Sequence, residues 1–481
     1  MPDTASLHAA AVDEAPSLAA GLLPDPHPEE AVRKGNGPVP MWLLPDGAGI
    51  SSQGGLLLGG VDLGELVAKL GTPVFVYDEG QLRRRCREAV QAWGSGVAYA
   101  SKAFLCQAMA RLAYEEGMMI DVSTEGELHV ALSAGVPAGA LVVHGNNKSD
   151  VELARAVEVG VSRIIVDSFD EIDRLEAIAE RPGGRPQVMI RVTPGIEAHT
   201  HEYVMTGQDD SKFGFGLASG AASEAVSRLS RPGSRLDLVG LHAHIGSQIF
   251  SLESFDKAMT VMAGFLAELA ATLRSAIGDS GSIKEICMGG GLGVAYVEDE
   301  ESPSITEWAR VVRRSAADAG IPNSLRLTAE PGRAIVAAAA LTAYTVGTIK
   351  EIPGVRTYVS VDGGMSDNPR PVLYGSGYEA FLARCVTADR PKKVTVVGKH
   401  CESGDVIVRD AQLPADLAVG DLLVTPVTGA YGHSMASNYN KVPRPPVVFV
   451  DDGAARVVVR RETLGDLLAL EQPDAGPIMS K

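Results

Sequence analysis

Lys102 follows the run Gly96-Val97-Ala98-Tyr99-Ala100-Ser101, and an amphipathic helical pattern (Leu105, Met109, Leu112, Ala113) begins directly after it. That arrangement puts the lysine at the C-terminal end of a buried strand. Loss of hydration there disfavours the ammonium form and lowers its pKa. A neutral amine so placed can form a Schiff base with an aldehyde cofactor. An isolated strand-end lysine more often only snorkels to water, so this chemistry needs partners elsewhere in the chain.

Those partners recur at the ends of later strand-like runs. The second run ends near Asp121, the fifth at Arg191, the sixth at His244, the seventh in Gly289-Gly290-Gly291 and the eighth in Glu330-Pro331-Gly332-Arg333. A glycine-rich loop after a strand frees backbone amides to cradle a phosphate. A carboxylate such as Glu330, facing a ring nitrogen, keeps a pyridine protonated and makes it a better electron sink; the plainer alternative is a rim salt bridge with Arg333. His242 and His244 alternate on one strand and share a face, a spacing that invites zinc. No third ligand stands at a recognisable distance, so no metal site is assigned. His244 opens His244-Ile245-Gly246-Ser247-Gln248, where the glycine admits a ligand, Ser247 offers a hydroxyl and the imidazole can stack on a flat ring. Together these parts suit pyridoxal phosphate. Later in the chain, Cys401 lies among His400, Glu402 and Asp405, which suggests an exposed working thiol rather than the usual small buried hydrophobe. Tyr431, in Gly429-Ala430-Tyr431, stands where it can contact a cofactor.

The elements that must position these groups are legible in outline. At 481 residues the chain exceeds one ordinary core, so two domains are expected. Residues 1–40 are rich in Ala, Pro, Asp and Glu without a sustained period, and are expected to form a disordered extension. Residues 41–78 form a lead-in whose strand Thr72–Tyr77 is expected to join the later β region. Residues 79–332 then alternate eight strand-like runs, beginning at Val97–Ala100 and ending at Arg326–Ala329, with helix-sized segments. Such alternation implies a parallel sheet. Eight units fit a closed (β/α)8 barrel, with a doubly wound open sheet as the alternative. From 333 to 470 strands dominate and an all-β domain is expected. In a barrel the reactive residues would share the rim formed by the strand C-termini, and phosphate sites favour the loops after strands seven and eight.

Composition narrows the functional classes. Net charge is −17, which argues against non-specific nucleic-acid binding. The five cysteines are scattered and form no CxxC pair, which points to a reducing cytoplasm. The longest apolar run, 334–349, falls short of the ~20 residues that span a bilayer, so no membrane partner is expected.

The motifs Tyr99-Ala-Ser-Lys-Ala103, His244-Ile-Gly-Ser-Gln248, Gly289-Gly-Gly-Leu-Gly293, Glu330-Pro-Gly-Arg333, Cys401-Glu-Ser-Gly-Asp405 and Gly429-Ala-Tyr431 occur in the order found in the fold-type III pyridoxal phosphate decarboxylases. Over about residues 70–460 the chain resembles that family, and within it the diaminopimelate decarboxylases. The resemblance implies an alanine-racemase-like barrel followed by an all-β domain, in a homodimer with shared active sites. It implies decarboxylation of meso-diaminopimelate to L-lysine and CO2, or of another basic amino acid (ornithine, arginine or carboxynorspermidine), with a non-catalytic regulator as a further alternative. Lys102 would carry the cofactor, His244 would stack on it, Glu330 would face its ring nitrogen, and Ser247, Gly290 and neighbouring amides would hold its phosphate. Arg333, Arg370, Tyr374, Glu402 and Tyr431 would bind substrate. Cys401, from the other subunit, would reprotonate Cα. Two departures stand out: Phe104 where many members carry Asn, and Gly432-His433 after the tyrosine.

Overall fold

A computed structural model describes residues 35–180, 185–196, 211–277 and 283–473. Residues 1–34 of the expected extension lie outside the described residues. Residues 35–40 differ from the expectation. Val39 is buried, the Arg390 N–H donates to Asn36 O at 2.7 Å, and the Arg390 guanidinium donates to Gly37 O at 2.6 Å. The same guanidinium pairs with Glu298. Proline and glycine hid this because the ordering partners lie far away in the chain.

Eight strands form the main path of the first sheet, Ala98–Ala100, Met119–Val122, Leu141–Val143, Arg163–Val166, Gln187–Thr193, Asp237–Ala243, Glu285–Cys287 and Arg326–Thr328, and the two-residue strand Phe215–Gly216 pairs onto the fifth. Each pairs in parallel with the next. Two backbone bonds then bring the first strand against the segment after the last: Ala98 N–H to Ala329 O at 3.0 Å and Ala100 N–H to Pro331 O at 3.3 Å. This ring decides for the barrel over the open sheet. Successive side chains on a strand point to opposite faces, and the alternation sorts them here. Leu141 and Val143 join the main core, whereas Val142 packs with Ile165, Met189, Val239 and Cys287 in a separate inner cluster. Arg163, Glu285 and Arg326 form a charged network beside it, with Thr328 donating to Glu285 at 2.8 Å.

Helices surround the ring because their starts are capped and their inner stripes are apolar. Ser149 and Ser304 each form a capping box with the glutamate three residues on. Asp78 caps the helix Glu79–Trp93. That helix meets Ile305–Asp318 through Trp93 and Trp308, whose rings lie 4.8 Å apart.

The second sheet is built around the 13-residue strand Ala340–Ile352. Its first half pairs antiparallel with Val74–Asp78 and with Leu422–Pro426, and its second half with Arg356–Val361. Val74–Asp78 also pairs in parallel with Val447–Asp451, so a strand preceding the barrel is inserted between strands that follow it. The strand Val406–Leu413 has no clear signature in the sequence. Arg409-Asp410 interrupts its apolar alternation, and Asp410 takes φ 50°.

Candidate active site

The strand ends converge on one cavity of about 350 Å3, lined among others by Lys102, Asp121, His144, Arg191, His244 and Glu330. Lys102 sits in the turn Ser101–Ala103 directly after the first barrel strand. Contrary to the sequence expectation of a dehydrated amine, its side chain is exposed. The turn breaks away from the sheet and carries the amine out into the mouth.

Glu330 is buried at the eighth strand end, and its partner is not Arg333. Its oxygens meet His242 Nε2 at 2.9 Å and His144 Nε2 at 3.0 Å. Burial pushes its carboxyl up, but the two imidazoles outweigh this and hold it well below the ordinary carboxylate range. The ligand atoms of His144, His242 and Glu330 all lie within 4.8 Å of one another; His242 hydrogen-bonds the carboxylate, while His144 stands at ion-pair distance from it, so that the two imidazoles flank it as a clamp. His144 escaped the sequence reading although it closes the third strand-like run and meets the same strand-end criterion. Asp121, 3.7 Å from His144, is pushed up to about 6 by burial and by the charge of Glu330, against His144 and Lys102. Glu127, which the sequence reading did not name, is raised by burial while the Ser123 N–H and Lys102 oppose the shift.

His244 lies one residue past the sixth strand. Its Nδ1 accepts the Gly290 N–H at 3.1 Å, which fixes a neutral tautomer. Burial and the charges of Lys102 and Arg191 hold its pKa well below the usual histidine value. The Gly290 amide, expected to face a phosphate, is therefore already used by His244. Gly289 takes φ 62° and Gly291 φ 108°, and a Cβ on Gly290 would lie 2.5 Å from Glu330 O. Only glycine lets this loop lie against the eighth strand end. Gly332 is equally tight, with Ala100 O 2.8 Å from an added Cβ. Arg191 is buried, 3.9 Å from Asp167 and 4.2 Å above the Phe213 ring.

A second chamber of about 450 Å3 shares Ser247, Arg333 and Tyr431 with the first and adds Tyr296, Arg370 and Tyr374. Arg333 donates to Tyr296 Oη at 2.7 Å and to Ser247 Oγ at 2.9 Å. Arg370 is buried, donates to Tyr378 Oη at 2.5 Å and stacks 4.2 Å above the Tyr296 ring. Among the described residues neither guanidinium pairs with a carboxylate. Tyr296 and Tyr378 were not legible as site residues, since nothing local distinguishes them from core tyrosines. Tyr431 donates its backbone N–H to Ala103 O at 2.8 Å, tying its loop to the lysine turn. Phe104 and His433, the two departures, meet edge to face at 5.8 Å. Phe104 also stacks on Tyr77 at 4.6 Å. Cys401 and Glu402 are exposed and line neither chamber.

The site can therefore hold a flat, anionic aldehyde: an amine, an ionised carboxylate, a neutral imidazole and a glycine cradle face one cavity. A family model described as "Pyridoxal-dependent decarboxylase, pyridoxal binding domain" matches residues 79–337. The diaminopimelate decarboxylase of Mycobacterium tuberculosis is 47% identical over 433 residues, covering 87% of this chain and 95% of the relative. That of Bacillus subtilis is 45% identical over 436 residues, covering 88% and 96%.

The chain belongs to the diaminopimelate decarboxylase family.

A solved structure of the M. jannaschii diaminopimelate decarboxylase, in co-complex with L-lysine, superposes with a TM-score of 0.81 at 30% identity, covering 90% of this chain and 98% of that one. Among the described residues of this family member, no helix is long and apolar enough to cross a membrane.

Proposed function

We infer that this enzyme decarboxylates meso-diaminopimelate to L-lysine and CO2 with pyridoxal 5'-phosphate as cofactor. The observation that carries this reading is the pair Arg333 and Arg370, two guanidiniums held by tyrosines and serine on a chamber continuous with that of Lys102. A substrate with a second carboxylate far from the reacting carbon supplies what they lack, and arginine binds it bidentately. A simple diamine precursor does not need them.

The residues fit the cofactor. Lys102 would carry it covalently, and when bound it supplies an electron sink for the carbon that loses CO2. Glu330, kept ionised by His144 and His242, would hold a proton on the ring nitrogen. The neutral His244 ring would cover one face, with Asp121 and Arg191 on the cavity wall. Ser247, Gly291 and the Gly332–Arg333 backbone would take the phosphate, while Gly290 acts through His244 and the Gly289 N–H is donated to Cys287 Sγ at 3.4 Å. Tyr431 closes the cavity beside Arg333, and Tyr374 lines the distal chamber. Cys401 and Glu402 line neither chamber of their own chain, which supports a homodimer in which each subunit lends them to the other's site. Glu402 would then take the distal ammonium, and Cys401 would deliver a proton to Cα. All five cysteines are free, in keeping with a cytoplasmic enzyme.

Lysine release from meso-diaminopimelate, measured beside ornithine and arginine, tests the reading. Turnover confined to ornithine or arginine overturns it.

A further inference from the structure

We propose that Asp405 is a positioning residue for Cys401, joining the loop of the thiol to the loop that leads to Arg370. The proposal rests on the reading of Cys401 as proton donor. The Asp405 carboxylate is buried. One oxygen accepts the Met365 N–H at 2.7 Å and the other the His400 N–H at 2.9 Å. The Asp405 N–H in turn donates to Glu402 O at 3.1 Å, closing the turn that begins one residue after Cys401.

The joint has no slack. A Cβ on Gly364 would lie 2.6 Å from Asp405 Oδ2, and one on Gly398 would collide with the same carboxylate. Two further contacts act on the same point. His400 Nε2 meets Ser366 Oγ at 2.8 Å, and Asn440 Oδ1 accepts the Cys401 N–H at 3.1 Å. The backbone of Cys401 is thus held while its side chain stays exposed. Segment 363–366 is itself fixed by Asp367, which accepts the Gly364 N–H at 2.8 Å and the Tyr344 hydroxyl at 2.6 Å. Arg370 follows three residues after Asp367, at the start of the helix Arg370–Tyr374. One continuous unit therefore seats Arg370 in its own chain's chamber and presents Cys401 outside it. Proton delivery depends on placement to within an ångström, and a carboxylate with two acceptors suits two N–H donors where an amide does not.

A double-mutant cycle tests this on the holoenzyme. Asp405→Asn turns one acceptor into a donor facing an N–H. It should lower kcat between about ten- and a hundredfold, lower Tm by a few degrees because a donor now faces an N–H in a buried site, and leave the visible cofactor absorbance near wild type. In a Cys401→Ala background the same change should lower kcat no further. Asn440→Ala, which deletes an acceptor on an exposed side chain, must give the same loss of kcat with Tm near wild type. An undiminished kcat in both variants overturns the inference. So does an additional loss in the Cys401→Ala background, or a parallel loss of cofactor absorbance. If Cys401→Ala itself turns over normally, the proton-donor reading falls and takes the inference with it. A defective Cys401→Ala beside a normal Asp405→Asn removes the inference alone.

Discussion

Gly290→Ala probes whether the glycine loop sets the geometry of the cofactor site. The added Cβ would stand 2.5 Å from Glu330 O, where ordinary contact begins at 3.4 Å; the two loops must part by roughly 0.9 Å. They cannot part freely, because the Glu330 N–H donates to Gly289 O at 2.6 Å. The same displacement takes the Gly290 N–H, now 3.1 Å from His244 Nδ1, out of hydrogen-bond range. Overpacking of this kind costs about 1–3 kcal/mol of stability. Misplacing His244 and Glu330 by nearly an ångström should lower kcat about a hundredfold. Steady-state lysine release gives kcat. Titration of the apoenzyme with pyridoxal phosphate, followed by visible absorbance, gives cofactor affinity, and both should fall. Gly264→Ala is the control. This exposed helical glycine has nothing within 4 Å of an added Cβ, so the change should stabilise the protein by about 0.4–1 kcal/mol and leave kcat unchanged. If Gly290→Ala keeps kcat within about threefold and its cofactor affinity, the loop is slack and the reasoning fails.

Lys148→Met should destabilise by about 3–5 kcal/mol in urea unfolding. It strands Glu171, which is 1% exposed and 2.7 Å from the Lys148 ammonium; a loss below about 1 kcal/mol would show that the pair is dispensable. His433 is lowered to about 4 by burial and by the charge of Arg444. Its neutral form is therefore favoured by folding, and the associated stability is present above pH 6.5 and lost as pH falls toward 4, by up to about 3 kcal/mol. His433→Leu should accordingly lose less Tm than wild type between pH 7 and pH 4, and parallel curves would refute this. Lys102→Ala subunits mixed with Cys401→Ala subunits should regain activity if sites are shared, because one site of each heterodimer is then complete. No recovery despite demonstrated subunit exchange counts against sharing.

Local periodicity and glycine or proline punctuation were enough to read all eight barrel strands, because a strand between two helices carries its apolar run and its stops within its own segment. The reactive strand ends were readable for the same reason: Lys102, Asp121, Arg191, His244, Glu330 and the triple glycine each follow an identifiable run. Sequence also carried the family motifs, and with them the cofactor and the chemistry. Pairing between distant segments was beyond its reach. That the ring closes at all rests on Ala98 and Ala329 meeting. The clamp of His144 and His242 on Glu330, the capture of the Gly290 N–H by His244, and the tethering of residues 35–40 by Arg390 join segments far apart in the chain. Such contacts depend on the order of strands around a closed sheet and on which side chains face one another across it, and no local pattern records that. Even the exposure of Lys102 was decided there, by where the turn after the first strand leaves the barrel rather than by the residues that spell it.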